Sequence, residues 1–273
     1  YTALAGLLVL GIINYILSRM RHRREIMKRE HAEQLNEAKL QFFINISHEI
    51  RTPMTLIINP LEKLLADKKD NELHKTYLMI YRNAQRILRL INQLMDIRKL
   101  DKGQMFMKFR ETDMVGFIDD LMQTFEYMAR KKNIRFTFEH EMPQLKVWID
   151  LNNFDKVLMN IFSNAFKYTP DNKSITLIVM ESGQFVSIAV KDEGIGISKD
   201  KVPSIFERFT TVSKENDMQP SSGIGLSLVN ELVKMLHGEI QVESEVKKGS
   251  VFKLVLHKGK EIYAQDKNVE YIL

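Results

Sequence analysis

The sequence predicts an α+β chain: an apolar N-terminal helix, then a long helical hairpin, then an α/β sandwich. Three observations predict it. Residues 1–18 carry no charge, apolar residues recur at three- and four-residue steps through two long stretches before Asp101, and short strand-like runs alternate with helical ones after Gly103. At 273 residues, 44% of them hydrophobic, the chain can build more than one core. It has no cysteine, which excludes disulfides, thiolate metal sites and a cysteine nucleophile and leaves histidine and carboxylate chemistry. The 40 Lys and Arg against 35 Asp and Glu give a net charge of +5, too small by itself to point to nucleic acid.

The first element is YTALAGLLVLGIINYILS, residues 1–18. As a helix at ~1.5 Å per residue it spans about 27 Å, near the lower limit for a bilayer core. Arg19, Arg21, Arg23, Arg24, Lys28 and Arg29 follow at once, and such a basic flank faces the cytoplasm. The expectation is a transmembrane helix that anchors the chain in the inner (cell) membrane by a single pass, with the rest cytoplasmic. A buried core helix or a signal-peptide core would share the length, but a signal peptide carries its charges before the apolar run and closes it with small residues. Because the run already contains Tyr1, the chain is expected to be a fragment of something longer.

From Arg19 to Leu65 the pattern is one long helix, with Leu35, Phe42, Phe43, Ile46, Ile50, Ile57, Leu61 and Leu64 at helical spacing. Asp67-Lys68-Lys69-Asp70-Asn71 breaks it, and Tyr77, Ile80, Tyr81, Ala84, Ile87, Leu88, Ile91, Leu94 and Met95 mark a second helix. Such a hairpin cannot bury its own stripe, so a homodimeric four-helix bundle is expected. Its divisions are a juxtamembrane helix over 19–41 and a hairpin over 42–102.

Residues 103–257 form the sandwich. Its expected order is a strand at MFMKF, a helix from Met114 to Lys132, a strand at IRFTFEHE, a helix from Asn152 to Tyr168, strands at SITLIVM and FVSIAVKD, a helix from Gly225 to Leu236, and a hairpin of EIQVES and SVFKLVL. The polar tail, 258–273, is expected to be a linker toward a further domain.

Four segments carry chemistry. In Phe43-Ile44-Asn45-Ile46-Ser47-His48-Glu49-Ile50-Arg51-Thr52-Pro53 a neutral imidazole can act as nucleophile, and the adjacent carboxylate can take the ring proton. Thr52 lies one helical turn from His48, where a hydroxyl can orient water, and Pro53 should bend the helix. Asn160, Asn164, Lys167 and Tyr168 share a helix face, offering hard amide oxygens suited to magnesium and a cation suited to phosphate. An ordinary polar helix face would read the same way. Asp192-Glu193-Gly194-Ile195-Gly196 sets an acceptor-only carboxylate at a strand end, with glycines that let backbone approach a flat ring. Ser222-Gly223-Ile224-Gly225-Leu226-Ser227-Leu228 opens a helix whose N–H groups suit phosphate, although a glycine-rich cap accounts for it equally well. Before it, Ile205-Phe206-Glu207-Arg208-Phe209 and the aperiodic stretch 210–221 suit a mobile lid or a plain surface loop.

Residues 43–53 strongly resemble the phospho-acceptor box of sensor histidine kinases. The segments around Asn164, Asp192, Phe209 and Gly223 resemble, in the family's order, its N box, first glycine box, F box and second glycine box. Ser221 stands where the family usually has one more glycine, which puts lid mobility and affinity in doubt. The boxes span residues 43–228, so the resemblance covers nearly all the chain after the apolar segment 1–18, and no Walker-type GxxxxGK[ST] competes with it. It implies ATP and Mg2+ as ligands, with Asn164 as the main metal ligand and Asn160 assisting. Lys167 and Tyr168 would approach phosphate, and Asp192 would specify adenine. Gly194, Gly196, Phe209, Gly223, Gly225 and Leu226 would complete the nucleotide site. The γ-phosphoryl would pass to Nε2 of His48 with Glu49 as base and then to an aspartate on a receiver domain, while Thr52 would serve a reverse, phosphatase mode. LIINPLEKLL and the tail look similar to hybrid two-component regulators, whose receiver lies downstream in the same chain. The expected partners are a second copy, a receiver domain and the membrane, with no direct nucleic-acid contact. A chaperone-like or topoisomerase-like ATPase of the same fold would lack the His48 hairpin, and a kinase-like signalling scaffold would lack nucleotide residues that are present here.

Overall fold

The structure is a computed structural model that describes Tyr15, Arg19, Met20, Ile50, residues 54–62, Leu64, residues 71–208, Thr210 and residues 223–272. It divides into two units, Tyr1–Met95 and Asp96–Leu273. Apart from Tyr15, the apolar segment 1–18 lies outside the described residues. Among the described residues, no helix is long and apolar enough to cross a membrane.

In the first unit, residues 54–62 are helical (α1), and α2 (Asn71–Asp101) begins there. Tyr81 donates to Glu62 Oε1 at 3.0 Å and accepts from Gln85 Nε2 at 3.1 Å, so α1 and α2 lie against each other as the hairpin expectation requires. Ile58, Leu61, Ala84 and Ile91 are buried, whereas Ile57, Leu64, Ile80 and Ile87 are 40–45% exposed. A single copy therefore leaves part of the apolar stripe in water.

The second unit continues from the end of α2 through a turn at Gly103 into β1 (Met107–Asp113), α3 (Met114–Gln123), α4 (Glu126–Lys132), β2 (Arg135–His140) and β3 (Lys146–Ile149). Then come α5 (Leu151–Tyr168), β4 (Ser174–Ser182), β5 (Phe185–Asp192), α6 (Gly225–Met235), β6 (Glu239–Glu245), β7 (Gly249–His257) and β8 (Val269–Tyr271). The main sheet has the order β2-β4-β5-β7-β6, antiparallel except for the β2–β4 pair. Alternate residues on its strands, including Ile175, Leu177 and Val179 on β4 and Phe252, Leu254 and Leu256 on β7, are buried under α5 and α6. At one end Phe125, Phe136, Phe162 and Phe166 pack ring against ring, with centroids 5.0–5.6 Å apart.

Three elements depart from expectation. The helix expected over Met114 to Lys132 is two helices, because Thr124 Oγ1 donates to Leu121 O at 2.7 Å and Phe125 N to Met122 O at 2.9 Å, closing α3 and turning Phe125 into the ring cluster. Lys146–Ile149 is a strand paired antiparallel with β1, a segment without a strand signal of its own. The tail after Lys258, expected to be a linker, folds back as a short 3-10 turn, Glu261–Tyr263, and as β8, which pairs parallel to β1. Tyr263 explains this: it is buried, stacks on Phe109 at 3.9 Å and donates to Leu236 O at 3.1 Å.

Candidate active site

α5 begins where Asp150 caps it. The Asp150 carboxylate accepts from Asn153 N at 3.0 Å, and it also accepts from Lys108 N at 2.7 Å, which pins the helix entrance to β1. The core side of α5 carries Phe154, Val157, Leu158, Ile161, Phe162, Ala165 and Phe166, all buried. Asn160, Asn164, Lys167 and Tyr168 are left half-buried, as the spacing predicts.

Asn160 donates its Nδ2 to Lys156 O at 2.7 Å, so the opposite side of the amide, Oδ1, faces the first residue of α6. A Cβ on Gly225 would lie 2.7 Å from that oxygen, so a larger residue there would push the Asn160 amide aside. Lys167 Nζ stands 5.0 Å from the centroid of the Tyr168 ring. α6 starts at Gly225 behind Ile224, with no side-chain cap hydrogen bond at its N-terminus, and Leu226 is half-buried in its first turn. Gly223, just before it, has φ +68°.

Asp192 ends β5 and is 6% exposed. Burial raises the pKa of its carboxyl group, and hydrogen bonds from Gly194 N, at 2.8 Å, and from the Ser250 backbone act in the opposite direction. The loop after it is held on two sides: Ile195 N donates to Tyr168 O at 3.2 Å, and Lys247 N donates to Ile195 O at 2.7 Å. Gly196 has φ +69°, and a Cβ there would lie 2.0 Å from Glu245 O, so the loop closes on the β6–β7 turn only with glycine at this position. Asn160 and Gly225 thus meet between α5 and α6, and Asp192 and Gly194 lie next to the end of α5 at Tyr168. His48, Glu49, Thr52 and Phe209 lie outside the described residues.

Residues 149–260 match the family described as histidine kinase-, DNA gyrase B- and HSP90-like ATPase, and residues 38–103 match the His Kinase A (phospho-acceptor) domain. The chain contains a sensor histidine kinase core. Histidine kinase P4 of Formosa agariphila is 35% identical to it over 269 residues, 95% of this chain and 20% of that protein, so the chain spans about a fifth of that relative's length. The crystal structure of histidine kinase ThkA in complex with response regulator protein TrrA is similar, with a TM-score of 0.56 at 27% identity, covering 81% of this chain and 62% of that one. Full-length ShkA in complex with AMPPNP shares the fold, with a TM-score of 0.68 at 21% identity over 80% of this chain and 46% of that one.

The kinase core contains polar contacts that the sequence does not announce. Arg208, in the F-box segment, binds the Asp101 carboxylate at the end of α2. Lys156 on α5 pairs with Asp96 of α2 at 2.8 Å. Ser244 and Ser250 join β6 to β7 beside Asp192, with their hydroxyls 2.9 Å apart. Arg208 and Lys156 are recognisable as charged residues in a sequence, but nothing local identifies their partners. The two serines look like ordinary strand residues until the register is known.

Proposed function

We propose that this kinase core binds ATP with Mg2+ and phosphorylates His48. The phosphoryl group then passes to an aspartate on a receiver domain of a response regulator, in the same full-length chain or a separate one. The observation that carries the reading is the convergence of Asn160 Oδ1 on Gly225 at the start of α6, with the Asp192 carboxylate at the neighbouring strand end. Phosphate oxygens suit the N–H groups and positive end at the start of a helix. The donor set also fits magnesium: amide oxygens from Asn164 and Asn160 would supply a few hard ligands, leaving the rest to phosphate and water. Lys167 offsets phosphate charge, and Asp192, an acceptor only when ionised, takes a hydrogen bond from the adenine amino group.

In the transfer, a neutral His48 ring attacks through Nε2. The bond from the γ-phosphorus to the bridging oxygen breaks, the nitrogen–phosphorus bond forms and ADP leaves, while the proton on the other ring nitrogen passes to Glu49. Thr52, one turn along, would orient a water in the reverse, phosphatase direction. A second copy would bury the exposed Ile57, Leu64, Ile80 and Ile87 in a four-helix bundle. Residues 1–18, with the basic cluster behind them, would anchor the chain in the inner membrane with the kinase core in the cytoplasm.

Incubation of the protein with γ-labelled ATP and Mg2+ tests the reading. The expected result is acid-labile, base-stable label that is absent in His48→Gln and in Asn164→Ala. Label retained by His48→Gln would overturn the acceptor, and unchanged nucleotide binding and labelling in Asn164→Ala would overturn the metal site.

A further inference from the structure

Asp192, Ser250 and Ser244 form a single row across three strands. Asp192 on β5 pairs with Ser250 on β7, and Ser250 pairs with Ser244 on β6. Directly opposed residues present their side chains to one face of a sheet. Here it is the face that also carries Val190 and Phe252, the buried face under the helices. Asp192 and Ser250 are 6% and 7% exposed.

Counting protons fixes the direction of each hydrogen bond in the row. Ser244 Oγ lies 2.8 Å from Ile197 N, 3.0 Å from Gly249 O and 2.9 Å from Ser250 Oγ. A hydroxyl has one proton and two lone pairs. A carbonyl oxygen only accepts, so the Ser244 proton goes to Gly249 O, and the Ile197 N–H occupies one Ser244 lone pair. The remaining contact, to Ser250, must then use the Ser250 proton. With that proton committed, Ser250 Oγ offers only lone pairs to any other group. It stands next to Asp192, whose ionised carboxylate is also acceptor-only and already receives the Ser250 backbone N–H.

We infer that Ser244 is a positioning residue for base selection: by holding the Ser250 hydroxyl proton, it makes the Asp192 end of the nucleotide site a two-acceptor edge. Such an edge takes a purine that presents an amino group, directly or through a water, and disfavours one that presents a carbonyl oxygen, which would face two acceptors with no proton between them. Without the Ser244 hydroxyl, Ser250 Oγ can rotate and donate to a carbonyl. The inference rests on the adenine role proposed above for Asp192.

The test is equilibrium displacement of a fluorescent adenine nucleotide from the full chain by ATP and by GTP, with Mg2+ present, so that turnover does not enter. Ser244→Ala is expected to lower the ATP-to-GTP affinity ratio about tenfold, mainly through tighter GTP binding. Ser244→Thr keeps the hydroxyl and should keep the wild-type ratio. Ser250→Ala, which leaves the Ser244 contact to Ile197 in place, should also lower the ratio and serves if Ser244→Ala fails to fold. An unchanged ratio in Ser244→Ala or Ser250→Ala, or an equal loss in Ser244→Thr, would overturn the inference. Asp192→Asn separates the two layers: unchanged ATP affinity there would overturn the site reading and this inference together. Lost affinity there, with an unchanged ratio in Ser244→Ala, would overturn the inference alone.

Discussion

Arg208 and Asp101 are 107 positions apart and joined by two hydrogen bonds, Nη1 to Oδ2 at 2.8 Å and Nη2 to Oδ1. The pair ties the F-box turn to the last turn of α2, and its hydrogen bonds push the guanidinium pKa further up. With side chains 41% and 32% exposed, water screens the attraction. A double-mutant cycle of Arg208→Ala and Asp101→Ala in urea unfolding should give a coupling of about 0.5–1 kcal/mol that shrinks in molar salt. Arg208→Lys should recover less than half of it, because an ammonium cannot reproduce the two parallel bonds of the fork. Zero coupling at low salt would mean that solvent separates the pair.

Asp192 makes a pH prediction whose sign follows from its burial. Its folded pKa lies above the unfolded value, so the native state holds the proton more tightly than the unfolded chain does. The cost of keeping the ionised group buried is therefore present at neutral pH and is relieved as pH falls through the folded pKa. Relative to Asp192→Asn, which does not titrate, the wild type should gain unfolding free energy between neutral pH and about pH 4. ATP affinity of the same variant should fall by about tenfold or more, the scale of a hydrogen bond to a charged group. Parallel stability curves for the two proteins across this range would contradict the buried, ionised Asp192.

What the sequence revealed depended on whether the deciding contacts were local. The polar face of α5 was legible because Asn160, Asn164, Lys167 and Tyr168 repeat at helical spacing on one element, and the Asp192 loop because its glycines follow a strand. β3 and β8 were not legible. Four and three residues long, they are held by contacts that sequence order hides: Trp148 meets Tyr271 edge to face at 5.9 Å, and Lys260 lies over the Trp148 ring at 4.7 Å. The break between α3 and α4 is hidden in the sequence for a similar reason. Thr124 is tolerable within a helix by propensity, and it is the burial of Phe125 against Phe162 and Phe166 that makes the turn worthwhile.

Lys132 closes the end of α5 from another helix. Its Nζ donates to Phe166 O and Thr169 O, each at 2.7 Å, satisfying carbonyls at a helix C-terminus with a positive charge. Lys132→Met keeps the aliphatic stem and removes only the donor. It should lower stability by about 1–2 kcal/mol and speed amide exchange in the last turn of α5. Lys167 and Tyr168 sit in that turn, so nucleotide affinity should weaken along with it. Unchanged exchange in residues 165–169 would show that the carbonyls find water instead.

Tyr263 provides the test of whether the returning tail is part of the catalytic domain's core. Its ring stacks on Phe109 of β1, and its hydroxyl bonds Leu236 O at the end of α6, so one side chain joins the tail to both layers. Burial holds the phenol protonated well above its ordinary range, which suits a donor to a carbonyl. Tyr263→Phe removes the hydrogen bond alone and should cost about 1 kcal/mol, whereas Tyr263→Ala also leaves a ring-sized cavity and should cost about 3–5 kcal/mol. Trp148 is the chain's one tryptophan and touches Tyr271 of β8, so its fluorescence reports the tail directly. In urea, the Ala variant should lose the Trp148 signal at a lower midpoint than the Phe variant. If the tail is only a surface strap, both substitutions will shift the midpoint equally little; a gap between them means that the ring itself fills the core between β1 and α6.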